Sequence, residues 1–201
     1  MTETPVDWAE LYRENVAAVT ALAHDLTDDQ LAAVVPATPE WTVSELLAHL
    51  SGVAHDFANE RLDGAPGAEW TGRHVGERRG NTPSELTEEL GRHRDSIAAS
   101  VADNPRPAVV WNIAVHHADL HEALGLGRVP ASYWRDVLEA MRSRVPEELS
   151  GVDDYELFRA LFSRRSRGQV RGWSGALTAE AIDELGLFGP RDDDQPVPAQ
   201  E

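Results

Sequence analysis

The sequence predicts an all-α fold built on a helical bundle, and three observations predict it. Apolar residues recur at spacings of three and four over several long stretches, which is the period of an amphipathic helix. Helix-start and helix-stop signals bracket those stretches. No stretch shows the alternation with a period of two that marks a half-buried strand. The chain has 201 residues, 41% of them apolar, which is enough for one domain with a hydrophobic core.

Start and stop signals place the individual helices. Thr27–Gln30, Thr42–Glu45 and Thr82–Glu85 each have the spacing of a capping box, in which the first and fourth residues satisfy each other's backbone N–H groups. Gly125 and Gly186 each follow an apolar-periodic stretch and predict left-handed helix ends. The predicted helices, in order, are 5–24, 42–62, 82–101, 107–125, 131–146, 153–170 and 178–186.

The remaining segments are predicted as connections. Pro36 and Pro39 separate the first two long helices. Residues 63–81 are rich in glycine and form the longest predicted loop, which includes Trp70 and His74. Loops of this length are often functional. We expect three parts: a helical bundle over 1–146, a helical extension packed on it over 147–190, and a disordered tail over 191–201.

The composition argues against several classes of function. All 18 basic residues are arginine, and 35 acidic residues give a net charge of −17, which disfavours binding to nucleic-acid phosphates and to anionic membranes. No apolar run approaches the roughly 20 residues of a membrane span, and the first residues lack the basic and apolar regions of a signal peptide. Because the chain has no cysteine, any thiol must come from outside it. We therefore expect a cytoplasmic protein whose partner is a small-molecule substrate.

Two distant stretches predict a site between helices. His49 lies beside the apolar stripe of the helix predicted at 42–62, and Asn112, His116 and Asp119 share one face of the helix predicted at 107–125. If the two helices are neighbours, they can build a metal site in the core of the bundle. Its ligands would be His49, Asn112 and His116. Asp119 would orient His116, and a position left open for substrate is typical of catalytic sites.

Asn112 leaves a second interpretation open. An amide oxygen is neutral and is a poor ligand for Zn²⁺ or Ni²⁺, so the metal would be held weakly. Alternatively, His49 and His116 are partly buried histidines that are satisfied by hydrogen bonds. His117 and His121 also have a spacing of four, but they lie about 100° round the helix, and we expect them on an exposed face.

A cluster of arginines stands out against the acidic background, at positions 164, 165, 167 and 171. Arginine is suited to a bidentate grip on carboxylates, so Arg164 and Arg165 are candidates for binding an anionic substrate or thiol cofactor. Trp70, in the long predicted loop, is a further cofactor-binding candidate that could line a pocket. The alternatives are that the cluster pairs with acidic residues of the chain, or that it contacts a second subunit in a homodimer.

Several motifs resemble those of one protein family, the mycothiol-dependent maleylpyruvate isomerases of the DinB/YfiT-like superfamily. The resemblance is carried by W-T-V-S-E-L-L-A-H-L (41–50), W-T-G-R-H-V-G-E-R-R (70–79) and V-H-H-A-D-L-H-E-A-L-G (115–125). Two further segments resemble many actinobacterial members, R-A-L-F-S-R-R-S-R-G-Q (159–169) and G-L-F-G-P (186–190).

The resemblance implies a DinB/YfiT-like four-helix bundle with additional C-terminal helices and a divalent metal. The implied ligands are His49, position 112 and His116, and position 112 is asparagine where the family has an acidic residue. Relatives use the metal to activate a low-molecular-weight thiol such as mycothiol. The resemblance therefore predicts a metal-dependent S-transferase or isomerase that acts on a small electrophile through His49, His116 and Asp119. The alternative is a degenerate bundle that acts as a small-molecule-binding or regulatory module.

Overall fold

The computed structural model describes residues 5–173 and 175–192, which form eleven α-helices and contain no strand. The all-α prediction is therefore confirmed. The helices are α1 Trp8–His24, α2 Asp28–Leu31, α3 Val43–Ala58, α4 Ala68–Glu77, α5 Pro83–Arg92, α6 Arg94–Val101, α7 Ala108–Leu124, α8 Arg135–Met141, α9 Asp154–Leu161, α10 Arg167–Trp173 and α11 Ala179–Leu185. Three short 3₁₀ turns accompany them, at Ala131–Tyr133, Arg142–Arg144 and Glu147–Leu149.

A bundle of four members forms the centre of the fold. The consecutive helices α5 and α6 act as one member, and α1 and α3 each pack against that member and against α7. The facing sides carry fully buried apolar side chains, which explains why the apolar stripes recur with the helical period. They include Tyr12, Val19, Leu46, Leu50, Leu86, Ile97, Val110, Ile113 and Leu120.

The predicted helix starts are confirmed in detail. The side chains of Thr27, Thr42 and Thr82 each accept a hydrogen bond from the backbone N–H three residues on. The side chain of that later residue accepts a hydrogen bond from the threonine's own backbone N–H. Each such cap contributes about 1 kcal/mol. Gly125 adopts the predicted left-handed conformation, with φ 64°. Gly186 is extended instead, and a Cβ there would lie 2.4 Å from the Ser163 hydroxyl oxygen, so close approach and not a left-handed turn requires the glycine.

The largest error of the sequence prediction concerns residues 63–81, which are not an irregular loop. Helix α4 fills the middle of that segment, and Trp70 and His74 are buried on its one inward face. The two side chains are four residues apart, so they lie on the same side of a helix. The glycines of the segment obscured this short amphipathic pattern.

Several predicted helices are shorter or divided in the structure. The helix expected at 82–101 breaks at His93, two residues after Gly91, because a glycine weakens a helix interior. The helix expected at 153–170 divides at Ser163, whose φ of 61° does not continue a right-handed helix. The helix expected at 42–62 ends at Ala58 for the same reason, since Glu60 has a φ of 56°.

The segment expected at 131–146 also departs from one continuous helix. It begins with a 3₁₀ turn, and α8 starts only after Trp134, whose φ of −142° lies outside the helical region. A second 3₁₀ turn follows α8.

The C-terminal segment contacts earlier parts of the chain at two places. Helix α9 lies against α8, and Arg191 donates through its guanidinium to the carbonyls of Pro36 and Ala37, in the connection before α3. The boundary expected between 146 and 147 stays a prediction. Residues 193–201 of the expected tail lie outside the described residues. Among the described residues, no helix is long and apolar enough to cross a membrane.

Candidate functional site

The structure brings His49 of α3 and His116 of α7 together in the interior of the bundle. Their ring centroids are 5.0 Å apart in a T-shaped arrangement, and their exposed fractions are only 2% and 5%. Burial is the main cause that lowers the pKa of both imidazoles. Both rings are therefore neutral at physiological pH, and each carries one N–H and one nitrogen lone pair.

Asp119 fixes the orientation of His116. The His116 Nδ1 atom lies 2.8 Å from Asp119 Oδ2. Burial acts to raise the pKa of the Asp119 carboxyl, but the guanidinium groups of Arg164 and Arg159 outweigh it and hold that pKa well below its usual range. An ionised carboxylate only accepts hydrogen bonds, so His116 donates through Nδ1 and keeps the lone pair on Nε2. The geometry fits the orienting role predicted for Asp119, and that role stays a prediction.

A third imidazole, which the sequence reasoning did not assign to the site, contacts His49 from α4. His74 is fully buried, and its Nδ1 lies 3.3 Å from His49 Nδ1. Its other ring nitrogen, Nε2, lies 2.9 Å from Asp56 Oδ2. Asp56 is itself buried and paired with Arg73 at 2.5 Å. The contact chain from His49 therefore ends on a carboxylate.

Gly52 makes room for this third ring. A Cβ at Gly52 would lie 2.3 Å from His74 Cγ, which is far too close for two carbon atoms that are not bonded to each other. The glycine stands in the middle of α3, three residues after His49, and therefore on the same side of the helix. A helix-interior glycine next to a candidate histidine was the signal in the sequence that could have revealed a close neighbour.

Asn112 completes the arrangement on α7. Its Nδ2 lies 3.4 Å from His49 Nε2, while its Oδ1 is buried and has no hydrogen-bond partner among the described residues. Leaving a buried carbonyl oxygen unpaired costs about 1–3 kcal/mol, so this atom is placed to receive a ligand. The three predicted metal-binding side chains thus share one location.

The chemistry of these donors fits a weakly held divalent cation. His49 and His116 would offer neutral Nε2 atoms, and Asn112 would offer a neutral amide oxygen. The described residues contain no group of three or more His, Asp or Glu side chains placed to hold a metal. The ring nitrogens of His74 contact His49 and Asp56.

Two tryptophans line the site. The Trp41 ring lies 4.8 Å from the His49 ring and 6.1 Å from the His116 ring, measured between centroids. Trp70 lies 6.0 Å from His49 and 4.2 Å from His74. The indole N–H of Trp70 donates to the Arg61 carbonyl, which fixes the ring. The predicted pocket-lining position of Trp70 agrees with this geometry, and its role in binding a cofactor stays a prediction.

Each of the two arginines assigned to cofactor binding is paired with carboxylates of the chain. Arg164 donates to Asp119 at 3.1 Å. Arg165 donates to Glu122 at 3.0 Å and to Glu156 at 2.6 Å. These contacts match the alternative in which the cluster pairs with acidic residues. A grip on an anionic cofactor stays a prediction, and it would have to draw on charges that are already compensated.

The sequence reasoning passed over the most deeply buried arginine. Arg159 donates to Asp119 and Glu122 and to the carbonyl of Val115. It therefore joins α9 to α7 directly behind His116. A buried arginine can be recognised only from its partners, because the sequence around Arg159 resembles an ordinary amphipathic helix.

The prediction that His117 lies on an exposed face is wrong. His117 is buried, its Nδ1 lies 3.0 Å from Asn15 Oδ1 of α1, and burial lowers its pKa to about 3. The reason is that α7 is covered on more than one side, by α1 as well as by α3. His121 is only partly buried, and its ring stacks edge-on against His117.

Comparison with known proteins gives one family match. A family model described as the mycothiol maleylpyruvate isomerase N-terminal domain matches residues 12–138, which is more than half of the chain. No curated protein and no solved structure matched the chain.

Proposed function

The chain belongs to the mycothiol maleylpyruvate isomerase N-terminal domain family, and on that premise we propose that it is a metal-dependent S-transferase or isomerase that uses a mycothiol-type thiol. Membership supports a mycothiol-associated, isomerase-like function in general and the involvement of a thiol. One observation of the structure supports the finer proposal. The buried imidazoles of His49 and His116 meet beside the unpaired Asn112 oxygen.

The chain's own side chains would prepare the reaction. His49 Nε2, His116 Nε2 and Asn112 Oδ1 would hold a divalent cation such as Zn²⁺ or Ni²⁺, which favours the thiolate form of a bound thiol. Asp119 keeps the His116 lone pair on Nε2, and so presents it to the site. The apolar rings of Trp41 and Trp70 pack beside the imidazoles and would limit water near the reacting sulfur.

The thiol chemistry then follows from the substrate class. The sulfur adds to an activated double bond of a small electrophile, and a proton is taken up at the neighbouring carbon. For an isomerisation, rotation about the resulting single bond is followed by elimination of the same thiol. For a transfer, the adduct is released. The absence of cysteine is consistent with a thiol supplied from outside.

A second candidate function is a small-molecule-binding or regulatory module that has lost the metal. Asn112 favours it, because the amide donates towards His49 Nε2 at 3.4 Å and so occupies the lone pair that a metal needs. An amide also brings no negative charge to hold a cation. The same buried pocket would then bind a ligand without catalysis.

Metal content separates the two candidates. We would purify the chain without a polyhistidine tag and measure bound Zn and Ni in the wild type, His116→Ala, Asn112→Glu and a control, His24→Ala, at an exposed histidine. Near-stoichiometric metal that is lost only in His116→Ala supports the enzyme. Metal-free wild type together with strong uptake by Asn112→Glu contradicts the enzyme and supports the module. Turnover of an electrophile with and without mycothiol extends the same comparison.

The remaining expectations concern partners and location. We propose a cytoplasmic protein that binds neither nucleic acid nor membranes, because its net charge of −17 repels phosphate groups. A homodimer is the assembly to test, by light scattering. A salt-dependent shift with duplex DNA at physiological ionic strength would contradict the first expectation.

A further inference from the structure

We propose that Asp56 and His74 form a positioning relay that locks His49 in the tautomer whose Nε2 atom carries no proton. The inference rests on the proposed function for its purpose, because an unprotonated Nε2 is what a ligand or a proton acceptor needs. It goes beyond the predicted site, which contained neither Asp56 nor His74.

The direction of each hydrogen bond follows from the residue at the end of the relay. Asp56 is paired with Arg73 at 2.5 Å and lies 3.8 Å from the Arg61 guanidinium, so its carboxylate is ionised and only accepts. The nitrogen that faces it, His74 Nε2, must therefore carry the proton. The carboxylate therefore decides which nitrogen of the first ring carries the proton.

The state of His74 then decides the state of His49. His74 is neutral, because it is fully buried and Arg73 already compensates the charge of the Asp56 carboxylate. A neutral imidazole has one N–H, so a proton on His74 Nε2 leaves a lone pair on its Nδ1. That atom lies 3.3 Å from His49 Nδ1, and two facing lone pairs would repel each other. His49 therefore donates through Nδ1 and carries its lone pair on Nε2, on the side of Asn112.

An independent contact agrees with this assignment. Asn112 Nδ2, a donor, is the atom that faces His49 Nε2, as the unprotonated nitrogen requires. The relay also accounts for why two buried polar side chains, His74 and Asp56, are tolerated in the core. Each has a partner for its buried polar atoms, which removes the cost of leaving them unpaired.

The relay gives the two imidazoles of the site the same tautomer. Asp119 directly fixes the Nδ1 proton of His116, and Asp56 fixes that of His49 through one more ring. Carboxylate–histidine pairs of this kind commonly orient ligating or catalytic imidazoles. In this chain both neutral rings would present Nε2 lone pairs to one location.

The test is the tautomer of His49, read from ¹⁵N chemical shifts of its ring nitrogens in the full-length, metal-free chain at mildly alkaline pH. We expect a pyrrole-type signal from Nδ1 and a pyridine-type signal from Nε2 in the wild type. A pyrrole-type Nε2 would overturn the proposal. Because the wild type itself is diagnostic, a variant that fails to fold does not decide the outcome.

Two variants sharpen the result. In Asp56→Asn the amide can donate to His74 Nε2, so we expect the His49 signals to reverse or to average between the two tautomers. The matched control is Arg73→Gln, which removes the same ion pair but leaves the carboxylate in place, and it should retain the wild-type tautomer. A folded Asp56→Asn with unchanged His49 signals contradicts the relay.

The measurement also separates this inference from the proposed function, since it needs no metal, thiol or substrate. A chain that binds no metal and has no turnover, but shows the expected His49 tautomer, contradicts the proposed enzyme and supports the relay. A metal-loaded, active chain whose free form shows the opposite tautomer supports the enzyme and contradicts the relay.

Discussion

The two imidazoles at the centre of the molecule are held by different chemistry. On one side, His116 donates straight to Asp119, which is fully buried and paired with buried arginines. On the other side, His74 stands between His49 and the carboxylate of Asp56. The carboxylate that orients His116 contacts that ring directly and is paired with buried arginines. The carboxylate on the His49 side is paired with partly exposed arginines and is separated from His49 by the ring of His74. A substitution in the first arrangement should therefore lower the stability of the whole fold. A substitution in the second should change mainly the site.

The two sides also come from different parts of the chain. Asp56 and His74 lie within residues 12–138, the range that matches the family model. Arg159 and Arg164 lie beyond it, on α9 and directly after it. The segment after the matched range therefore contributes to holding His116, through the contacts of Arg159 and Arg164 with Asp119.

The largest expected effect concerns the His116 side of the site. In Arg159→Met, buried Asp119 and Glu122 lose the guanidinium that bridges them. Removing one partner of a buried ion pair leaves uncompensated charge and costs about 3–5 kcal/mol. We expect a loss of that size in the free energy of unfolding, measured by urea denaturation at neutral pH.

The matched control for this prediction is Arg142→Met. Arg142 also pairs with two carboxylates, Glu139 and Asp154, but it is solvent-accessible, and exposed ion pairs contribute less than about 1 kcal/mol. Equal losses in the two variants would show that the buried network contributes no more than a surface pair, and the contrast between the two sides of the site would disappear.

A smaller effect is expected from an imidazole that has no carboxylate at all. His117 contacts the Asn15 amide oxygen, and burial lowers its pKa from 6.5 to about 3. Between those two values the unfolded chain binds a proton at this ring and the native chain does not. Stability therefore falls as the pH decreases below about 6.5, by about 1.4 kcal/mol per pH unit, or about 2 kcal/mol between pH 6.5 and pH 5.

This pH dependence can be assigned to one residue by substitution. His117→Gln keeps a side-chain N–H for Asn15 but cannot take up a proton, so its stability curve should be flatter than that of the wild type over the same window. His24→Gln, at an exposed position, should leave the slope unchanged. Parallel curves for wild type and His117→Gln would mean that His117 is protonated in the native state as readily as in the unfolded chain.

The sequence was sufficient to predict the bundle and the placement of four candidate site residues, because helical periodicity fixes which residues share a face. Helical spacing placed His49 on an inward face and put Asn112, His116 and Asp119 on one side of a helix, and the structure places all four as those spacings require. Spacing along a single helix does not report which other helix lies against it. The relay through His74 depends on α4, a short helix in a glycine-rich segment, and on its approach to α3.

Burial on a second face was missed for a related reason. A helix in the middle of a bundle buries more than one stripe, and the face of α7 that carries His117 contains polar residues that look exposed in the sequence. Likewise, the pairing of Arg159 with Asp119 joins residues 40 positions apart. Only the packing of α9 on α7 brings these opposite charges together.

The smallest expected effect concerns the His49 side of the site and tests it through packing alone. In Gly52→Ala the new methyl group would lie 2.3 Å from His74 Cγ, so the ring or α4 must move. Overpacking of this kind costs about 1–3 kcal/mol, and the better helix propensity of alanine returns up to about 1 kcal/mol. We expect a net loss of about 1–2 kcal/mol in the free energy of unfolding.

The matched control is Gly72→Ala, in α4 itself but with open space around it, which should instead stabilise the fold by up to about 1 kcal/mol. The displaced His74 ring is the one that contacts His49, so the His49 ¹⁵N signals report on this contact. Wild-type signals in Gly52→Ala would show that the contact with His74 survives the displacement. Averaged signals would show that this contact has been lost.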